Sequence, residues 1–377
     1  MNAPTKITYP LPEGDVTRLG FSQRNLAYLD DLINLHIGER RFAGAQIALA
    51  RHGELALFRS YGKVSNDADA AAVDGRTLFN MFSQTKMFTS SAIWTLIEEG
   101  KLSFMDRIAD HLPEFAARGK GAITLHQVMA HSGGFPNASV SEAAWADHAL
   151  MRKEVCDFSL EWAPGSRMHY HGSAAHLVQA MVIEAVTGKD YRDVIRERII
   201  RPLDVGEDVF VGVPKDEDHR CVIVGGEGEL VDNRPARRAA GLPGTGGFGT
   251  ARGVAAFYQC LLNKGTLNGR RIFSPRLIDY VTRNHTGETP DRSEHMANIP
   301  MHRALGPHVR GESDTVRGLG TIANPATFGH GGAGSSYSWG DPASGVSFSF
   351  MSNHLAPEPW HSLRIDRISN IVHAAID

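Results

Sequence analysis

Leu78-Phe-Asn-Met-Phe-Ser83-Gln-Thr-Lys86 is the stretch that decides how this chain folds and what it does. A mostly apolar run from Leu78 to Phe82 feeds directly into Ser83, and a helical pattern follows with Ile93, Trp94, Ile97 and Leu102. A spacing of three puts Ser83 and Lys86 on one face of that helix. A serine hydroxyl is a weak nucleophile at neutral pH and needs a base within hydrogen-bond reach. A lysine serves as that base only where burial or a nearby cation favours its neutral form. The helix start adds backbone N–H groups and a positive dipole end, both favourable to a developing anion. By itself Ser-x-x-Lys is short enough to recur by chance, and the plainer reading is a polar first turn.

Outward from this stretch, strand signals lie at both ends of the chain. Gly44–Arg51, a His52-Gly53 turn and the run from Leu55 to Tyr61 read as a hairpin. Near the other end Val346, Phe348 and Phe350 alternate with Ser347 and Ser349, a period of two. The turn Asp341-Pro-Ala-Ser-Gly separates them from Ser335-Ser-Tyr-Ser-Trp, a second hairpin. Helical spacing occupies 22–42, 173–187, 251–262 and about 359–375, and the chain from about 84 to 200 is mostly helical. The expected fold is therefore α/β of the α+β type. An antiparallel sheet built from both ends (1–82 and 241–377) is flanked by helices, and residues 83–240 form a mostly helical second lobe. A cleft between the two is the natural site.

Composition narrows the function. The 377 residues are 42% hydrophobic and 21% charged, which excludes a disordered or fibrous chain. Lys and Arg number 39 against 42 Asp and Glu, so no basic excess draws the protein to nucleic acid or an anionic membrane. Apolar runs fall short of a membrane span. Cys156, Cys221 and Cys260 are odd in number and widely spaced, so they read as small buried side chains rather than disulfides or a zinc site. Met1 to Lys6 and the polar stretch after it lack the pattern of a secretion signal, and the expected location is cytoplasmic. The oligomeric state is not written in the sequence.

Several motifs fail. Gly244-Thr-Gly-Gly-Phe-Gly matches the dinucleotide fingerprint in form, but an Arg- and Ala-rich segment precedes it instead of a strand, so it reads as a glycine-rich loop before a helix. There is no Gly-x-Ser-x-Gly elbow and no His-Glu-x-x-His. His169 and His171 are close in sequence without a matching carboxylate or Cys pattern, and no metal site is expected.

Two further elements fit the Ser-Lys reading. Tyr170-His171-Gly172 follows Trp162-Ala-Pro-Gly-Ser, and a tyrosine beside the lysine could relay its proton to a leaving group. The plainer reading is a Tyr that caps and packs. Gly329-His330-Gly331-Gly332-Ala333 precedes the strand at Ser335. Its glycines would let a ligand approach the strand, and a strand N–H could complete an oxyanion hole; a tight strand entry explains it equally well.

In this order and context the chain resembles the serine β-lactamase-like group, which holds class C β-lactamases, D-amino-acid-specific peptidases and family VIII carboxylesterases. The similarity extends to Gly100-Lys-Leu-Ser, Leu112-Pro-Glu-Phe, the run from Ile123 to Gly134, Thr187-Gly-Lys-Asp-Tyr, Pro202-Leu and Gly246-Gly-Phe-Gly-Thr-Ala. The resemblance implies an antiparallel sheet with a helical lobe. It implies that Ser83 attacks an acyl carbonyl, that Lys86 and Tyr170 take and return the proton, and that the N–H groups of Ser83 and Ala333 hold the oxyanion. Water then releases the acyl group, with no metal or cofactor.

Departures from the family pattern suggest the substrate. Where the second motif often reads Tyr-x-Asn, this chain has Gly172; where β-lactamases commonly have Lys-Thr-Gly, it has His330-Gly331-Gly332. The amide-holding Asn, the hydroxyl and the permanent cation are all gone. Both losses argue against strong β-lactam turnover, and the expected location argues against cell-wall peptides. The leading expectation is a serine carboxylesterase for a small-molecule ester of small or medium acyl length, with His330, Gly331, Gly332, His171 and Gly172 lining the substrate. An acyltransferase using the same residues comes next, then an amidase or weak β-lactamase. A non-enzymatic scaffold on this fold would show a broken constellation, and all three elements are intact in type. Trp162, Trp339 and Phe135 are possible acyl-pocket walls, although core packing is the safer role for each. Segment 284–318 reads equally as a lid or a surface loop.

Overall fold

The computed structural model describes residues 10–226, 230–293, 299–313, 316 and 318–377. In chain order the main elements are helix α1 (Gln23–Gly38), strands β1 (Gly44–Arg51) and β2 (Glu54–Gly62), and helices α2 (Thr85–Glu98), α3 (Ala174–Thr187) and α4 (Ala251–Leu262). Strands β3 (His308–Val309), β4 (Phe328–Gly332), β5 (Ser336–Asp341) and β6 (Val346–Ser352) and helix α5 (Trp360–Ala374) follow. The strands form one antiparallel sheet in the order β3-β4-β5-β6-β1-β2. The two ends of the chain thus share a sheet, as the hairpin signals predict. β1 and β6 pair from Ala45 opposite Ser352 to Arg51 opposite Val346.

The period of two sorts side chains to the two faces of this sheet. Ile47, Leu49, Tyr337, Trp339, Val346, Phe348 and Phe350 face one cluster, closed by Leu29 and Ile33 of α1 and Ile365, Ile368 and Val372 of α5. Ser22 caps α1 by accepting the Asn25 N–H, and its own N–H donates to Ala375 O at 2.8 Å, so α1 starts against the end of α5. On the opposite face Ala48, Ala50 and Met351 join the larger cluster with α2, α3 and α4. Ser347 and Ser349, which alternation alone would leave in water, are fully buried. Their hydroxyls are satisfied by Ala255 O at 3.0 Å and Ser338 at 2.8 Å, and their small size lets α4 lie close.

The larger cluster continues from the sheet through α2 into the helices between 85 and 200. Helix α2 is buried at every position from Thr85 to Leu96, the mark of a central helix rather than an amphipathic surface one. The three cysteines are free and buried, as expected. Trp339 and Phe135 are core residues with 0% exposure: Trp339 lies in the cluster away from α2, and Phe135 packs edge-on to Phe115 and His171. Trp162 is half-buried against His169. Of segment 284–318, residues 294–298, 314, 315 and 317 lie outside the described residues.

Candidate active site

Ser83 is delivered by a short strand and a strained turn. Phe79–Asn80 pairs with Gly249 and Phe248, and Met81 N–H donates to Gly247 O at 2.8 Å. Phe82 then adopts φ +45°, a left-handed conformation that costs an aromatic residue roughly 1–3 kcal/mol. Its N–H is held by Asn80 Oδ1 at 2.8 Å, which fixes the strained residue in place. Ser83 follows in the 3-10 turn Phe82–Gln84 that opens α2, where N–H groups lack intrahelical acceptors.

Lys86, one turn on, is fully buried. Its Nζ lies 2.9 Å from Ser83 Oγ and 2.8 Å from Gly244 O. Burial disfavours the ammonium and lowers its pKa; the Tyr170 phenol opposes this, and the Arg303 charge adds to the lowering. A neutral amine donates one N–H to Gly244 O and turns its lone pair toward the Ser83 hydroxyl, the arrangement a general base requires.

Tyr170 stands in the loop before α3. Lys86 Nζ is 5.2 Å from its ring centroid, and the phenol acts on the amine by charge and hydrogen bonding without a well-aligned bond between them. Tyr170, more than eighty positions further along the chain, is thus brought beside the Ser83–Lys86 pair. The His131 ring centroid lies 4.9 Å from that of Tyr170, and the Arg303 guanidinium carbon 4.6 Å from it. Tyr170 N–H donates to Asp291 Oδ1 at 3.3 Å.

Strand β4 runs past the Ser83 turn. Gln84 Nε2 donates to Ser336 Oγ at 2.8 Å, binding the turn to β5. A Cβ at Gly332 would lie 2.6 Å from Met81 O, and one at Gly331 would lie 2.8 Å from the Tyr337 ring. These glycines therefore admit the protein's own carbonyl and ring, which corrects the expectation that they make room for ligand backbone. Ala333 follows in an exposed turn. The next residue, Gly334, accepts from Ala356 N–H at 2.8 Å and Arg364 Nη2 at 2.7 Å, so this turn is anchored from α5.

The histidines divide by environment. His330 is buried, its Nδ1 donates to Gly331 O at 2.8 Å, and burial and then the Lys86 charge push its pKa down to about 3. It brings no positive charge to β4. His171 is enclosed with both nitrogens used: Nδ1 donates to His169 O at 2.7 Å and Nε2 accepts Phe135 N–H at 3.2 Å. It ties the Tyr170 loop to the 131–135 turn and offers a ligand nothing, contrary to the expected lining role. Gly172 is exposed, and a Cβ there would meet nothing within 4 Å, so the place of the missing Asn is open.

Sequence reasoning set the 244–249 glycines aside and missed what they do. Thr89 Oγ1 donates to Pro243 O at 2.7 Å, Lys86 to Gly244 O, and Gly247 N–H to Thr85 Oγ1 at 2.8 Å. A Cβ at Gly247 would lie 2.7 Å from Thr85 Oγ1. The segment is docked on α2, its glycines are consumed by that contact, and no cradle for a pyrophosphate remains. The short strand Gly247–Gly249 lies within it. His131, His176, Asp291 and Arg303 were also missed: His131 lies in the Ile123–Gly134 run without a role of its own being read there, and the other three belong to no motif.

Ser83, Lys86 and Tyr170 thus form one cluster at the start of α2. The beta-lactamase family matches residues 29–372, and the chain belongs to that family as one of its serine hydrolases. It is 26% identical over 358 residues to the Esterase/beta-lactamase LipL of Mycobacterium tuberculosis, covering 84% of this chain and 78% of that protein. It is 24% identical to a putative D-alanyl-D-alanine carboxypeptidase of Escherichia coli K12, over 92% of this chain and 86% of the other. A crystal structure of a family VIII carboxylesterase superposes with a TM-score of 0.80 at 26% identity, covering 95% and 99% of the two chains. No helix among the described residues is long and apolar enough to cross a membrane.

Proposed function

We propose that the protein is a serine carboxylesterase that cleaves esters of small or medium acyl groups through an acyl-enzyme on Ser83. The observation that carries this is the fully buried Lys86 amine, 2.9 Å from the Ser83 hydroxyl and held by Gly244 O. Ser83 Oγ attacks the ester carbonyl as its proton passes to Lys86 Nζ. The N–H groups of Ser83 and Ala333 hold the oxyanion. As the tetrahedral intermediate collapses, the proton travels from Lys86 by way of Tyr170 to the departing alkoxide. Water then enters by the same route in reverse and frees the acid.

An ester, rather than a β-lactam or a peptide, is favoured by what surrounds these groups. Neutral His330 gives a substrate carboxylate no cation on β4, and Gly172 gives an amide no side chain. Esters are also intrinsically easier to cleave than amides. The family VIII carboxylesterase fits the same reading, and LipL, whose name carries both esterase and beta-lactamase, fits ester cleavage without excluding a β-lactam.

The test is a panel of nitrophenyl acyl esters and nitrocefin with wild type and Ser83→Ala. Ester turnover that vanishes in the variant, with little nitrocefin hydrolysis, supports the proposal. Turnover that survives the substitution refutes it. Intact mass after a slow ester should show the acyl group on Ser83, and added alcohols that divert it would make the enzyme an acyltransferase.

A further inference from the structure

The amine of Lys86 is faced by Ser83 and by groups from four other parts of the chain: Tyr170 from its loop, His176 from α3, His330 from β4 and Arg303 from the segment after Ile299–Pro300. His131 lies behind Tyr170. Burial holds His131, His176 and His330 neutral. Among the described residues this leaves Arg303 as the standing cation that acts on Lys86.

Arg303 is held with unusual care. It is 3% exposed and Asp291 is 0% exposed. Nη2 of Arg303 donates to Asp291 Oδ2 at 2.6 Å. The other carboxylate oxygen accepts Tyr170 N–H at 3.3 Å, Ser293 N–H at 3.0 Å and Ser293 Oγ at 2.8 Å. One carboxylate thus grips both the backbone of Tyr170 and the guanidinium lying on its ring. Among the described residues Nε and Nη1 of Arg303 find no acceptor, as is also true of Nε and Nη1 of the buried Arg364. A buried charge with idle N–H groups is costly unless something else stabilises it. What this guanidinium has instead is the face of Tyr170, 4.6 Å away, a favourable cation–π geometry.

We propose that Arg303 is a positioning residue of the acyl-transfer centre: clamped by Asp291, it fixes the Tyr170 ring and supplies the fixed positive charge that keeps the Lys86 amine free to take the Ser83 proton. The charge that His330 does not provide on β4 reaches the centre from a different segment. This rests on the Ser83–Lys86 reading above. The sign follows from Coulomb's law. A nearby cation makes protonating Lys86 harder, so removing it raises the amine's proton affinity, and activity that needs the neutral amine appears only at higher pH.

The experiment is the pH profile of kcat/KM for nitrophenyl acetate in wild type, Arg303→Lys and the double variant Asp291→Asn/Arg303→Met. The double variant removes both charges, so no buried ion is stranded. Arg303→Lys should keep the acid limb where wild type has it, with kcat lowered several-fold by the lost fork geometry. In the double variant the limb should move to higher pH, so the loss relative to wild type is severalfold greater below the limb than on the alkaline plateau. If a folded double variant, judged by circular dichroism, loses activity equally at every pH, Arg303 is only a structural partner of Asp291 and the proposal falls. A limb that moves up in Arg303→Lys, where a cation is retained, overturns it too, and this outcome can be read even if the double variant does not fold. Wild-type turnover that Ser83→Ala does not abolish would instead defeat the underlying Ser83–Lys86 reading.

Discussion

Replacing Lys86 by Met separates the chemistry of this site from its stability. The side chain is fully buried, burial lowers the pKa of its amine, and the mechanism requires that amine to be neutral in the folded protein. On unfolding the amine enters water, where a lysine takes up a proton below about pH 10.4. The unfolded state therefore binds one more proton than the folded one, and stability rises with pH between the lowered folded pKa and the unfolded value. That slope is about 1.4 kcal/mol per pH unit for one proton. Met carries no such proton. Its own cost is the orphaned Gly244 carbonyl, about 1–3 kcal/mol for a buried group left without a partner, and it does not vary with pH. The assay is urea unfolding of wild type and Lys86→Met at pH 8 and pH 9. The gap between them should shift in favour of wild type by about 1.4 kcal/mol over that unit, while kcat falls about 10²- to 10⁴-fold, the share of a general base. Parallel stability curves would mean that Lys86 keeps its proton in the folded protein. It could then not accept one from Ser83, and the mechanism would be wrong.

Tyr170→Phe keeps the ring between Arg303 and His131 but loses the phenol; kcat/KM should fall about 10²-fold or more with little change in Tm. Gly172→Asn meets nothing within 4 Å and needs no unusual backbone. It should fold normally and raise the ratio of nitrocefin to nitrophenyl-ester turnover at least about tenfold, because the new carboxamide can hydrogen-bond the amide of the substrate; an unchanged ratio would show that this open space does not select the substrate. Gly332→Ala forces a methyl to 2.6 Å from Met81 O, so urea unfolding should report a loss of about 1–3 kcal/mol, with kcat reduced as the Ser83 turn shifts.

The hairpins at both ends, the helix at 251–262 and the Ser83–Lys86 pair were legible because each leaves a period or a spacing in the sequence, whereas the place of Tyr170 beside them was implied only by the family resemblance. What was not legible depends on three-dimensional closeness alone. Gly331 and Gly332 read as open strand because no local pattern shows that Tyr337 and Met81 fill the space. His171 looked available because its partners, Phe135 N–H and His169 O, are backbone groups that any residue carries. Arg303 lies in a segment whose composition is that of a surface loop, and only the fold reveals that it is buried against Tyr170. The serines of β6 looked solvent-facing because alternation records polarity, whereas a small hydroxyl can be satisfied under a helix.

The pairing of β1 with β6 joins residues about 300 positions apart and has a consequence for biosynthesis. At roughly 5–20 residues per second, a ribosome that has released β1 needs about 15–60 seconds more before its partner exists. Throughout that interval the N-terminal hairpin carries an uncovered edge, able to template pairing with another nascent chain. The α2 turn, leaning on β4 and β5, cannot be locked any sooner, so a prematurely terminated chain would be both inactive and prone to aggregate.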